Sequence, residues 1–127
     1  MNGFLLVGAG GALGAMARYG FAGIIGRLWP MGFPLATLLI NIIGSIAMGL
    51  FVGLMAKLLP ANQEELRLFV AVGIFGGFTT FSSFSLDTIV LLERGELFAA
   101  ISYVALSVVV CLIGLYLGLL ITRGGPA

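Results

Sequence analysis

Long apolar stretches make up most of this chain, and short polar connections separate them. A helix needs about 20 mostly apolar residues to cross a bilayer. The predicted helices cover residues 4–25, 35–56, 68–92 and 97–122. None of them alternates apolar and polar residues as the strands of an outer-membrane barrel do. The pattern therefore predicts an all-α integral membrane protein in which residues 1–127 form a single four-helix domain.

Composition excludes most soluble function classes. Apolar residues make up 61% of the chain and charged residues 9%, whereas a soluble domain has about 25% charged residues. Histidine is absent and Cys111 is the single cysteine. Ser-His-Asp and Cys-His catalysis, His-type metal sites and an intrachain disulfide are therefore excluded. We expect a protein that is not an enzyme and, with a net charge of +1, does not bind nucleic acid.

The charges that flank the predicted helices are balanced across the membrane. One side of the membrane has Lys57, Arg67 and Arg123. The other side has Arg27 and Arg94, and Arg18 is nearest to that side. The positive-inside rule then gives no preferred orientation. Such a chain can insert both ways, and opposed copies can form an antiparallel homodimer. The alternative is a weak bias that these charges do not reveal.

Each predicted helix carries one Gly-x-x-x-Gly pair, a pattern that lets helix backbones approach closely. The pairs are Gly10/Gly14, Gly49/Gly53, Gly73/Gly77 and Gly114/Gly118. Together they favour an oligomer, whereas any single pair is more typical of packing within one subunit.

Polar residues at membrane depth form a stripe on two of the helices, at positions i, i+4 and i+8. The stripes are Thr37, Asn41 and Ser45 in the second helix, and Tyr103, Ser107 and Cys111 in the fourth. Asn41 matters most because its amide offers two donors and an acceptor. Such groups either line a pore or join helices by hydrogen bonds.

The third helix contains a segment that is poorly suited to helix, residues 73–85. Adjacent glycines followed by β-branched and hydroxyl residues predict a break. At a break, carbonyl groups can hold a cation and a half-helix N-terminus favours an anion. Phe78, Phe81 and Phe84 recur every third residue, so we expect them near one face, where their electropositive ring edges can attract an anion. Alternatively they are core or lipid-facing residues.

Arg18 and Asp87 are the charged residues most deeply embedded in the predicted helices. The topology predicts that they lie at similar depth near the same interface. They either pair or each serve a vestibule.

Three segments resemble one known family. Residues 76–85, Gly-Gly-Phe-Thr-Thr-Phe-Ser-Ser-Phe-Ser, resemble the third-helix signature of the Fluc (CrcB-type) fluoride channels of bacteria. Residues 11–15 with Arg18 resemble the first-helix pattern, and residues 37–41 the second. The resemblance covers essentially the whole chain.

The resemblance implies an antiparallel homodimer with two fluoride pores. It implies that Phe81 and Phe84 form an aromatic box and that Asn41 donates to fluoride. The other residues it implies along the path are Ser82, Ser83, Tyr103 and Ser107. It also implies a structural sodium ion at the dimer centre, held by the main-chain carbonyls of Gly76 and Thr79 of both subunits, with Arg18 and Asp87 in vestibule or structural roles.

This sequence departs from the family pattern at two places. Cys111 stands where some relatives carry a hydroxyl residue, and Ser83 replaces a common threonine.

The function implied is passive, fluoride-selective export from the bacterial cytoplasm through the inner membrane, which lowers fluoride toxicity. Two alternatives stay open. A small proton-coupled multidrug exporter needs a carboxylate in its first helix, which this chain lacks, and would have to use Asp87. A structural subunit of a membrane complex explains the glycines but not a broken helix beside two polar stripes.

Overall fold

The computed structural model describes residues 2–29 and 32–124, which form no strand. Four helical spans within these residues are long and apolar enough to cross a membrane, which confirms the predicted architecture. They are α1 (Gly3–Leu28), α2 (Leu35–Leu58), a composite third span (Gln63–Glu93) and α6 (Leu97–Arg123). The third span consists of α3 (Gln63–Leu66), a π-helical segment (Arg67–Phe75), α4 (Gly76–Phe78) and α5 (Phe81–Glu93).

The third span begins at Gln63 rather than at residue 68 as predicted. Its first turn contains Glu64 and Glu65, and acidic side chains stabilise a helix N-terminus through the helix dipole. Arg67 forms an ion pair of 2.9 Å with Glu64 one turn away. These polar residues therefore extend the helix instead of forming a loop.

The predicted break is confirmed, but it lies at Thr79 and Thr80 and not at the glycine pair. Thr79 (φ −79°, ψ 157°) and Thr80 (φ −151°, ψ 117°) are extended, whereas Gly76 and Gly77 remain helical. The Thr79 hydroxyl donates to the Phe75 carbonyl at 2.9 Å. The Thr80 hydroxyl accepts the backbone N–H of Ser83 at 3.2 Å and so caps α5. Threonine side chains thus satisfy backbone groups that the break exposes.

All four glycine pairs pack helices together within one subunit. α1 lies along the π-helical segment and α4, and α2 lies along α6. A Cβ atom at Gly10 or Gly14 would overlap a backbone carbonyl of the third span, and one at Gly49 or Gly118 would overlap a carbonyl of the facing helix. Because these contacts already use the pairs, the glycines give no support to the predicted oligomer.

The small buried core lies between α2, α5 and α6. Its buried members are Leu38, Leu91, Ala100 and Tyr103, with Phe33 and Phe84 among the residues packed against them. This core fixes the position of α5, and with it the break, relative to the polar faces of α2 and α6.

Candidate functional site

Asn41 and Thr80 connect α2 to the break through two hydrogen bonds. The Asn41 side-chain amide nitrogen donates to the Thr80 carbonyl at 3.1 Å. The Thr80 backbone N–H donates to the Asn41 side-chain oxygen at 2.8 Å. An Asn amide carries two N–H donors, so one of them is not used by Thr80. The polar residue picked out in the second helix thus holds the broken backbone and retains a donor.

A groove of about 430 Å³ runs beside this connection. Its walls come from α2, the break, the first turn of α5 and α6. The residues that line it are Asn41, Gly44, Ser45, Met48, Thr79, Thr80, Phe81, Phe84, Ser107, Val108, Cys111, Leu112 and Leu115. No charged side chain lines it, so its polarity comes from amide, hydroxyl and thiol groups.

Phe81 and Phe84 lie together at this groove, as predicted. Their ring centroids are 5.4 Å apart. The Phe81 side chain is 77% exposed on the surface of the subunit. Phe78 does not join them, because it precedes the break and packs edge-on against Phe21 of α1 at 6.3 Å. The expectation that three phenylalanines share one face is wrong, since a regular helical period does not continue through the extended threonines.

Ser107 is the buried polar residue of this groove whose hydrogen bonding is incomplete. It is only 6% exposed. Among the described residues, its hydroxyl oxygen is the one buried side-chain polar atom without a hydrogen-bond partner. Buried hydroxyl groups are normally hydrogen-bonded, so an orphaned hydroxyl beside a groove is a ready binding group.

Tyr103 lies behind the groove rather than in its wall. It is fully buried, and its hydroxyl donates to the Asp87 carboxylate at 3.2 Å. Its ring packs against Phe84 at 5.2 Å and edge-on against Phe33 at 5.6 Å. Tyr103 therefore supports the Phe84 ring and orients Asp87.

The serines that follow the break are at the start of α5 and outside the groove wall. The Ser82 hydroxyl lies 3.3 Å from the Thr80 hydroxyl and is exposed. Ser83 contributes its backbone N–H to the cap. Both serines bond to Thr80, the residue that also contacts Asn41.

Arg18 and Asp87 have separate hydrogen-bond partners. The Arg18 guanidinium donates through Nε to the Gly77 carbonyl at 3.1 Å, which brings it to the break in the middle of the third span. The Asp87 carboxylate accepts the Tyr103 hydroxyl at 3.2 Å instead. The two charged residues therefore bond to different groups, and their similar depth near one interface stays a prediction.

Sequence reasoning did not pick out Thr80, Met48 or Gly44 as part of this site. Gly44 leaves room for the Thr79 side chain. Met48 lies seven residues after Asn41, so it continues the polar face of α2, and that period was the available signal. Thr80 belongs to the predicted break, but its contact with Asn41 could not be predicted, because it depends on the side chain of a distant helix.

Two main-chain carbonyls at the break lose their regular partners. In a continuous helix the N–H of Thr80 would bond to Gly76 and that of Ser83 to Thr79. Here those N–H groups donate to the side chains of Asn41 and Thr80. The carbonyl groups that lose these bonds, those of Gly76 and Thr79, are the ones predicted to hold a cation. In the described part of the chain, no group of three or more His, Cys, Asp and Glu could hold a metal.

Comparison with known proteins assigns the family. The family described as CrcB-like protein, Camphor Resistance (CrcB), matches residues 5–119. The chain belongs to the CrcB family. This confirms the resemblance drawn from the glycine, threonine and phenylalanine pattern. With its four spans, this CrcB-family chain is a multi-pass membrane protein.

Several similar CrcB-family proteins carry the name "Fluoride-specific ion channel FluC". One from Paracoccus denitrificans is 50% identical over 121 residues, covering 95% of this chain and 94% of that protein. One from Rhodospirillum centenum is 48% identical over 128 residues and covers both chains completely. One from Hyphomonas neptunium is 46% identical over 123 residues, 97% of each. These relatives are named as ion channels and not as enzymes.

Proposed function

We propose that this chain forms a fluoride-selective channel that lets fluoride leave the bacterial cytoplasm passively and so lowers its toxicity. The observation that carries the proposal is the Asn41 amide, held at the helix break by Thr80 beside a groove without charged side chains. The names of the similar proteins support the same cargo.

The groove offers what a fluoride path requires. Fluoride is small and strongly hydrated, so a pore has to replace its water with close donors. The second N–H of Asn41 and the orphaned hydroxyl of Ser107 are such donors. The electropositive edges of Phe81 and Phe84 add a weaker attraction. With no fixed positive charge in the wall, the ion is bound weakly enough to leave.

The remaining polar residues act at the ends of this path. Ser82 has an exposed hydroxyl at the first turn of α5, where the partial positive charge of a helix N-terminus favours an anion. Ser83 holds that turn in place through its backbone. Arg18 adds positive potential at the break, whereas Tyr103 and Asp87 fix the Phe84 ring.

The functional unit we propose is an antiparallel homodimer with two pores. Within one subunit the groove is incomplete, because Phe81 at its edge is 77% exposed. A second copy in the opposite orientation would cover this edge. The balanced basic residues of the two membrane sides support opposed insertion. A cysteine introduced at exposed Asn62 in a Cys111→Ser chain tests this: labelling from both sides of the membrane is expected, and labelling from one side alone contradicts it.

A structural sodium ion at the dimer centre belongs to the same proposal. The Gly76 and Thr79 carbonyls fit it, because oxygen donors without helical partners are what a hard cation binds. Gly76 is exposed on the subunit surface, so equivalent carbonyls of two subunits can share one ion. Bound there, the ion supplies positive charge between the two broken helices.

Ion efflux from liposomes that contain the purified protein tests the function. We expect rapid fluoride release, measured with an ion-selective electrode, while chloride is retained. Release must continue when both sides have the same pH. Retention of fluoride by folded protein contradicts the proposal and favours a subunit of a larger complex. Transport of organic cations that requires a proton gradient favours an exporter instead.

A further inference from the structure

We propose that Cys111 and Met48 form a site for soft, thiophilic cations within the groove, and that a cation bound there blocks fluoride passage. The blocking effect rests on the proposed function, whereas the binding does not. The sequence contains one cysteine and no histidine, so any soft-metal binding in this chain depends on a very small set of side chains.

The two sulfur atoms belong to the same cavity. Cys111 of α6 and Met48 of α2 both line the groove, and the Cys111 thiol is free and only partly buried. Thiol and thioether groups are the ligands that soft cations such as Ag⁺ and Cu⁺ prefer. Two facing helices thus each supply a sulfur atom to a groove whose other lining groups are apolar, hydroxyl or amide groups.

Ser107 gives an independent indication that this part of the groove receives a ligand. It lies one turn before Cys111 on the same face of α6. Its hydroxyl is 6% exposed and lacks a hydrogen-bond partner among the described residues. Ser45 lies beside the Cys111 thiol from the opposite wall. A bound cation would therefore have oxygen donors as well as sulfur around it.

Silver is the suitable probe because binding needs no prior ionisation of the thiol. Ag⁺ replaces the thiol proton, the S–Ag bond forms as the S–H bond breaks, and the proton leaves to water. No electron is transferred. Once bound, the silver ion occupies the space between the walls of the groove and so obstructs the fluoride path.

The experiment combines silver retention with fluoride efflux in chloride-free nitrate solution, in which silver fluoride stays dissolved. The purified protein is treated with silver nitrate, desalted and analysed for silver per chain, and matched liposomes are assayed for efflux. We expect about one Ag⁺ per chain and an efflux at least tenfold slower than without silver. Each variant is compared with its own untreated efflux.

Two variants and one control locate the site. Cys111→Ser should retain no silver, and its efflux should be the same with and without silver. Met48→Leu should weaken silver binding about tenfold, because it removes one soft ligand. Met16→Leu is the control, since Met16 is 62% exposed on α1 and should leave silver binding unchanged.

Several results would overturn the inference. Silver that remains bound to Cys111→Ser, or that binds Met48→Leu as tightly as the original chain, would refute the proposed site of Cys111 and Met48. Silver that binds at Cys111 without slowing efflux would refute the proposed block of fluoride passage. A protein that releases no fluoride in any condition refutes the proposed channel function, and silver retention still tests the site.

Discussion

Asn41 and Thr80 are joined by a reciprocal pair of hydrogen bonds, 3.1 Å from the Asn41 amide to the Thr80 carbonyl and 2.8 Å from the Thr80 N–H to the Asn41 oxygen. The side chain of one helix thereby takes the place of a backbone partner in another. The same amide that stabilises the break also lines the groove. The stability of the helix break and the proposed binding of fluoride therefore both depend on Asn41, and its substitution should affect both.

Asn41→Asp should strongly reduce fluoride efflux. The carboxylate still accepts the Thr80 N–H, but it loses both N–H donors and adds a negative charge that repels the anion. A hydrogen bond to a charged group contributes about 1.5–3 kcal/mol, so we expect efflux to fall about tenfold to a hundredfold. Liposome efflux measures the change. Asn62→Asp, in an exposed residue without a side-chain cap bond, is the matched control, and equal efflux in the two variants would refute the role of Asn41.

Phe81→Ile and Phe84→Ile should each lower fluoride efflux about twofold to tenfold, because an aromatic contact contributes about 0.5–1.5 kcal/mol. Phe84→Ile should lower the melting temperature more than Phe81→Ile, because Phe84 packs against Tyr103, whereas the Phe81 ring is 77% exposed on one subunit. Phe98→Ile serves as control, with Phe98 85% exposed at the start of α6. Unchanged efflux in both aromatic variants would refute the proposed role of Phe81 and Phe84 as an aromatic box.

Gly10→Val should destabilise the subunit. Its side chain would meet the Phe69 carbonyl of the π-helical segment, and overpacking of this kind costs about 1–3 kcal/mol. Gly23→Val makes the same change in the same helix, but no atom lies within 4 Å of a Cβ there. We expect a clear drop in thermal stability for Gly10→Val only. Size-exclusion chromatography of heated samples measures this stability. Equal losses would mean that helix propensity, and not the close backbone contact, decides the effect.

Removing sodium should lower the thermal stability of the assembled protein. A ligand that binds only the folded form at 100 times its Kd stabilises it by about 2.7 kcal/mol. Exchange of sodium for N-methyl-D-glucamine at constant ionic strength should therefore lower the melting temperature by several degrees. Restored stability on adding sodium back supports an ion at the Gly76 and Thr79 carbonyls. Identical melting curves in the two cations would contradict it.

Arg18→Gln should destabilise the chain even though the new side chain remains polar. Arg18 donates to the Gly77 carbonyl at 3.1 Å, and a buried carbonyl without a partner costs about 1–3 kcal/mol. Arg27→Gln, at the exposed end of α1, is the control that removes the same charge. A loss of stability confined to Arg18→Gln is expected in a thermal unfolding assay, and equal stability of both variants would show that the contact is unimportant.

The sequence by itself determined the membrane class, the four spans and the polar faces of α2 and α6. These properties depend on the length of apolar stretches and on the period of a single helix, which are local. For the same reason the break was predictable from the threonine and glycine run, and Asn41 and Ser107 could be picked out before any contact was known.

Only the tertiary structure decided which atoms the break exposes. Asn41 lies 39 residues from Thr80 in the chain, and its side chain accepts the Thr80 N–H that a continuous helix would direct to the Gly76 carbonyl. Contacts between distant segments also bring Arg18 to the Gly77 carbonyl and pack Phe78 against Phe21 of α1. They place every glycine pair between helices of the same subunit. Such outcomes depend on which helices lie side by side, and the period of one helix carries no information about its neighbour.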